Sequence, residues 1–209
     1  GVDVTLRNLT TGRDQLLGSV GDIAFNKAGS LLAYTVVAPF KDSNGLFTID
    51  LKSGRVHALD NDAKLYNRLV WNEKGTALAV LKGLDVEKQR ERSNVLVVYP
   101  NVRASIDAQG PPPPPVTLDP AKATGFPKDW VVSDRAAINF SDDSTRVYFG
   151  IKEQVAVPDA TRPNRDTTAD VDVWNARDER VQSLQMNRAE AERNFTFRSA
   201  VVGATGAFV

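Results

Sequence analysis

The chain has no cysteine, a single histidine and a single methionine, and its 26 Lys+Arg balance its 26 Asp+Glu to a formal net charge of zero. Without cysteine there is no disulfide, thiolate nucleophile, iron-sulfur cluster or zinc-thiolate site, although this does not fix the compartment. Every imidazole-based mechanism would have to pass through His57. The balanced charge leaves no electrostatic footprint for nucleic acid or an anionic membrane. No apolar run approaches the roughly 18 residues of a membrane span, and Gly1 is followed at once by an alternating stretch, so neither a span nor a signal peptide is expected in these residues. What is there is a globular composition, 42% hydrophobic and 25% charged over 209 residues, with little equipment for chemistry.

The organisation lies in internal repetition. Three stretches align without a gap: 22–34 (Asp-Ile-Ala-Phe-Asn-Lys-Ala-Gly-Ser-Leu-Leu-Ala-Tyr), 68–80 (Arg-Leu-Val-Trp-Asn-Glu-Lys-Gly-Thr-Ala-Leu-Ala-Val) and 137–149 (Ala-Ile-Asn-Phe-Ser-Asp-Asp-Ser-Thr-Arg-Val-Tyr-Phe). Each is an aromatic (Phe25, Trp71, Phe140), a four-residue polar turn and an apolar strand. The longer second interval is explained by an inserted proline-rich segment, 100–127. Repeats of this period mark a propeller or a solenoid. Two further strand-like runs follow each stretch: 45–51 and 55–59, 94–99 and 116–118, 170–175 and 180–184. The unit is therefore a four-stranded antiparallel blade, with strands A to D in chain order.

The predicted fold class is all-β, a β-propeller segment of about three full blades with partial blades at both ends. Residues 1–20 read as the C-D strands of a blade, 21–60, 67–119 and 136–185 as blades, and 194–209 as the start of the next, so the chain is expected to begin and stop in mid-blade. In such a meander the A-B and C-D connections emerge at one end, the B-C and D-A connections at the other. The A-B turns are all tight. The B-C connections 82–93 and 153–169 and the D-A connections 119–135 and 186–193 are long and charged, so contacts are expected at that loop end. Short helices of one or two turns are expected at 119–123 and 187–193, and a polyproline II spacer at Pro111–Pro115.

The chemically suggestive residues all have a structural reading that accounts for them better. His57 falls on an outer D strand with no aspartate at a motif-like spacing. Asp142 and Asp143 occupy the same aligned turn as Lys27-Ala28 and Glu73-Lys74. Asp42-Ser43-Asn44-Gly45 opens like a calcium loop but lacks the closing glutamate. Asp170 and Asp172 alternate with Val171 and Val173 on one side of a strand. Phe25, Trp71 and Phe140 read as interblade core, and Arg90, Arg92, Arg162 and Arg165 give only a weak anionic-ligand signal, the first two being interleaved with Glu87 and Glu91. Asn8 and Asn194 head glycosylation sequons that matter only in a secreted eukaryotic protein. There is no Gly-x-Ser-x-Gly and no phosphate loop. No catalytic, cofactor-binding or metal residue is assigned, and no cofactor is expected.

The repeat as it stands at 23–34 and 45–54 resembles the TolB-type or WD-type repeat. More narrowly, Asp170-Val171-Asp172-Val173-Trp174-Asn175 with 188–198 (Arg-Ala-Glu-Ala-Glu-Arg-Asn-Phe-Thr-Phe-Arg) resembles the N-terminal propeller of bacterial enzymes in the prolyl oligopeptidase family of serine peptidases. That resemblance implies a non-catalytic propeller gating or positioning peptides for an α/β-hydrolase domain, which this chain lacks. The alternative is a stand-alone TolB-like binding scaffold. An open arc leaves two apolar sheet faces to be covered. The expected partners are the remainder of a longer protein or a second copy of the chain, with peptides at the loop face, and neither nucleic acid nor membrane. Self-closure of the N-terminal C-D pair with C-terminal A-B strands ranks below these, because the trailing strand is short.

Overall fold

The computed structural model describes residues 1–107, 114–157, 175, 177 and 180–209. The architecture is all-β and antiparallel, a series of sheets stacked face to face without closing into a ring. The middle sheet shows how sequence makes a blade. Strands β6 (Leu65–Trp71), β7 (Leu78–Leu84), β8 (Ser93–Tyr99) and β9 (Val116–Leu118) pair in chain order. A blade is covered on both faces, so β7 carries a continuous apolar run where a half-exposed strand would alternate. Leu78 and Val80, with Val97 and Tyr99, face the preceding sheet. Ala79 and Leu81, with Leu96, Val98 and Leu118, face the following one. Each buried Leu or Val among these contributes roughly 1.5–3 kcal/mol.

The preceding blade is built from β2 (Asp14–Phe25), β3 (Leu31–Val36), β4 (Gly45–Asp50) and β5 (Arg55–Asn61). Strand β1 (Val2–Arg7) pairs with the first half of β2, from Arg7↔Asp14 to Val2↔Val20, and β3 pairs with the second half, ending at Phe25↔Leu32. The N-terminal hairpin and the first blade thus share one strand where two were expected. The register breaks between Val20 and Ile23, beside Ser19 at φ 52°, and this bulge lets the two halves of β2 serve different layers. Val4, Leu6, Leu17 and Val20 then pack against Leu32, Tyr34 and Ile49.

The third blade differs from the expectation. Strands β10 (Trp130–Ser133) and β11 (Asn139–Phe140) lie in succession along one edge of β12 (Arg146–Glu153), as a single A strand interrupted in its middle. The other edge of β12 takes β13 (Phe197–Val202), from Arg146↔Val202 to Ile151↔Phe197. The terminal residues fold back on β13, with Val201 bridged to Phe208. Residues 197–209 are therefore the C strand and the beginning of the D strand of the third blade, not the opening of a fresh one. Nor is 180–184 a D strand, because Gln182–Arg193 forms helix α2, longer than the one or two turns expected at 187–193. Alternation identifies a strand without naming its neighbour, and Val181 and Leu184, three apart, fit a helix as well as a strand. The predicted strand 170–175 lies outside the described residues apart from Asn175. Since 197–209 are used in this way, they cannot complete the blade of the N-terminal hairpin, which removes self-closure.

At the turn end, neighbouring blades are latched by a repeated device. Asn26 Oδ1 accepts from the Ser30 and Leu31 amides at 2.9 Å, and its Nδ2 donates to the Gly75 carbonyl of the next blade at 3.0 Å. Asn72 repeats this, accepting from Thr76 and Ala77 and donating to Ser144 Oγ of the third blade at 3.1 Å. Trp71 Nε1 reaches back to the Ala24 carbonyl at 3.0 Å. Gly29 and Gly75 take φ of 63° and 67° to close the turns. In the β8–β9 connection, also at this end, lies a helix the sequence pattern did not suggest, α1 (Val102–Asp107), anchored by the fully buried Val102.

Candidate functional site

The loop end of the blades gathers charge. Glu91, in the β7–β8 connection, is buried with its Oε1 3.0 Å from Lys152 Nζ at the end of β12, an ion pair not aligned as a hydrogen bond. Arg90 and Arg135 approach the same carboxylate at 3.7 and 3.8 Å. Lys152 Nζ also donates to the Arg193 carbonyl at the end of α2, 2.5 Å away. The Gln154 side chain closes both polar groups of the Glu91 backbone, accepting from its N–H at 3.0 Å and donating to its carbonyl at 2.7 Å. Beside it the two B-C connections pair with each other, the Arg90 amide donating to Val155 O and the Val157 amide to Lys88 O. Burying a carboxylate and an ammonium is costly unless each is paired and hydrogen-bonded. Here both are paired and Lys152 is hydrogen-bonded, whereas Glu91 Oε1 is held by charge alone.

The network continues along the innermost strands. Arg68, at φ 60° in the β6 bulge, donates its amide to Asp22 Oδ2 of the first blade at 2.6 Å and its Nε to the Asp134 carbonyl of the third at 2.7 Å. Arg92 pairs with Asp85 at 2.9 Å and with Asp134 at 3.7 Å. One seam earlier, Lys82 at the end of β7 meets Asp60 and Asp62 at 2.7 and 2.9 Å. Burial alone would lower the pKa of that ammonium, but the two carboxylates outweigh it and hold Lys82 charged above the usual lysine range. Asp62 is correspondingly held below the carboxylate range, chiefly by Lys82. Burial, reinforced by Asp60, pushes the Tyr66 hydroxyl well above the usual phenol range.

Chemically, this end is a charged rim in which Lys82, Glu91, Arg92 and Lys152 are engaged by their neighbours. Among the described residues no group of three or more His, Asp or Glu is arranged to hold a metal ion. His57 is half-buried on β5, opposite Thr48. Asp143 accepts from Ser141 Oγ at 2.6 Å and from the Thr145 amide and hydroxyl, which pull its carboxyl down to about 2 within the A-B turn. Asp42 belongs to a single 3-10 turn, and the buried Asn44 ties the Ala38 amide to the Lys64 carbonyl. Trp71 and Phe140 pack in the interblade layers. Arg90 and Arg92 are brought into the network, whereas Arg162, Arg165, Asp170, Asp172 and Pro111–Pro113 lie outside the described residues. Asn8 Oδ1 caps its own hairpin turn through the Thr10 and Thr11 amides, and Asn194 accepts from Arg90 at 3.4 Å. Asp22, Arg68, Asp134, Arg135 and Lys152 were not singled out in the sequence. Their signal is charge placed in or beside apolar strand patterns, as in Gly150-Ile151-Lys152.

No family model matches the chain, and no curated protein matches it. Solved structures to which it is similar include the β-propeller domain of the Trilobed protease from Pyrococcus furiosus, at TM-score 0.48 and 9% identity over 99% of this chain and 48% of that one. TolB from Acinetobacter baumannii gives 0.40 and 15% over 71% of this chain and 32% of that one. An acylaminoacyl peptidase from Pyrococcus horikoshii gives 0.44 and 10% over 76% and 25%. The chain spans less than half the length of each of these proteins.

Proposed function

We infer that this chain is the non-catalytic propeller portion of a prolyl-oligopeptidase-like serine hydrolase, its loop end gating or positioning peptides for an α/β-hydrolase domain outside residues 1–209. The observation that carries the reading is the asymmetry of the blades. Long connections from the second and third blades meet at one end, fastened by the Glu91–Lys152 network beside the innermost strands. A rigid scaffold that holds its loops in one place is suited to contact a partner or substrate there. The resemblance of 170–175 and 188–198 to that family's propellers supports the same reading.

The test is the gene product that contains the chain. Its reading frame should carry a Gly-x-Ser-x-Gly segment followed by an aspartate and a histidine, and a fluorophosphonate probe should label the full-length protein while leaving residues 1–209 unlabelled. Stoichiometric labelling of residues 1–209 alone would overturn the non-catalytic role. A reading frame holding only further repeats would favour the TolB-like scaffold instead.

A further inference from the structure

The aligned A strands have unequal surroundings. Leu69 and Trp71 of the second blade, and Ile138 and Phe140 of the third, pack into the seam with the blade before them. Their counterparts Ile23 and Phe25 are 43% and 56% exposed. They point to the same side of the sheet as their cross-strand partners Tyr34 and Leu32, which the β1–β2 hairpin covers. That seam is therefore filled over β3 and β4 and open over β2. Phe25 borders the open part, a cavity of about 610 Å³ shared with Leu6, Asn8, Ile49 and Leu51.

The hairpin has the construction of a C-D pair. In Asn8-Leu9-Thr10-Thr11-Gly12 the Asn8 Oδ1 accepts from the amides two and three residues on, and Gly12 stands at φ 70°. In Asp50-Leu51-Lys52-Ser53-Gly54, the C-D turn of the first blade, Asp50 Oδ1 does the same and Gly54 stands at φ 72°. As a C strand, β1 offers its edge away from β2 to a B strand, and among the described strands only β2 pairs with it.

We propose that Ile23, Phe25 and the outer edge of β1 form a docking surface for one further A-B β-hairpin of this same repeat, which completes the blade begun by β1 and β2. The surface is continuous with the seam already formed by Val4, Leu6 and Leu17. The incoming B strand pairs antiparallel with β1, the A strand covers Ile23 and Phe25, and its aromatic-Asn-x-x-Gly turn lies beside Gly29. Gly29 is the residue aligned with Gly75 and Ser144, the two acceptor positions of the existing latches. A second copy of this arc does not supply such a hairpin, because each of its A-B pairs is already hydrogen-bonded within its own blade. The socket belongs to the fold and is independent of the peptidase reading.

The probe is a synthetic peptide with the sequence of residues 68–82, closed by an added terminal disulfide so that its hairpin is formed before binding. It should bind the 209-residue chain one to one and slow hydrogen exchange at those amides of Val2–Arg7 that face away from β2. Phe25→Asp, at an exposed position that the fold tolerates, should weaken binding about tenfold or more. Leu16→Asp, more exposed still but on the opposite face of the hairpin, should leave binding unchanged. Unaltered exchange in β1 at saturating peptide, or equal weakening by both substitutions, would overturn the proposal. So would a free chain that sediments as a dimer with those amides already protected.

Discussion

The two ends of the blades are joined by different physics. At the turn end, Asn26 and Asn72 reach across the seams with neutral amide groups and satisfy backbone amides of their own turns. At the loop end, the seams are held by ions: Lys82 with Asp60 and Asp62, Lys152 with Glu91. Neutral hydrogen bonds contribute on the order of 1 kcal/mol each and cost little to bury once made. Buried ions bring a desolvation penalty of several kcal/mol that only their partners offset. The turn end is therefore robust and repetitive, while the loop end is a cooperative assembly in which loss of one group exposes the cost of the others.

The largest effect that separates the two ends is expected from Glu91→Ala. It leaves Lys152, with a side chain 9% exposed, beside Arg90 and Arg135 without their shared anion, at a cost of about 3–5 kcal/mol. Urea unfolding of the two proteins measures this. Replacing Glu91 and Lys152 together by Met should recover much of the loss, since the penalty lies in the orphaned charge. A double variant as unstable as the single one would place the effect in loop geometry instead.

A smaller loss, about 1–3 kcal/mol, is expected for Asn72→Ala, which leaves the Thr76 and Ala77 amides without their acceptor and cuts the link to Ser144. The third turn supplies an internal control. There Ser141 stands where the first two blades have Asn, its Oγ accepts from the Arg146 amide, and the carboxylate of Asp143 takes over the capping. Ser141→Ala should therefore cost less than Asn72→Ala in the same unfolding assay. The reverse order would break the latch account.

Much of the fold was legible because the repeat joins local chemistry to global position. An aromatic, an Asn or Ser, a left-handed turn residue and an apolar strand specify an A-B pair wherever they occur, and three such pairs are present. The third blade was less legible for a physical reason. Phe197–Val202 is written as a strand, but nothing in its alternation says that it pairs with β12 across the long connection instead of opening a new sheet. The interrupted A strand at 130–140 was hidden likewise, because residues 134–138 carry no strand pattern between its two pieces. At the loop end the arginines 90 and 92 were visible as a charged run. Their engagement was not, since Glu91 meets Lys152 and Arg135 from the third blade, and such contacts have no signature at sequence spacing.

The smallest expected effect tests a charged link at the turn end, where Lys27 and Glu73 also pair between neighbouring A-B turns. Arg103 of α1 pairs with Asp50, whose other oxygen accepts from the Lys52 and Ser53 amides at 2.9 and 3.0 Å. The guanidinium, followed by the turn amides, holds the Asp50 carboxyl well below the usual carboxylate range. A carboxyl whose folded pKa lies below its unfolded value of about 3.9 contributes fully above that value and loses its contribution as pH falls through the folded one. Arg103 is 40% exposed, so solvent screening limits the pair to roughly 0–1 kcal/mol. Arg103→Ala should accordingly lower the urea midpoint slightly at pH 7, and the difference from the parent chain should shrink as the pH falls below about 4. A difference that stays constant down to pH 2.5 would mean that Arg103 acts through the packing of its aliphatic stem against the first blade.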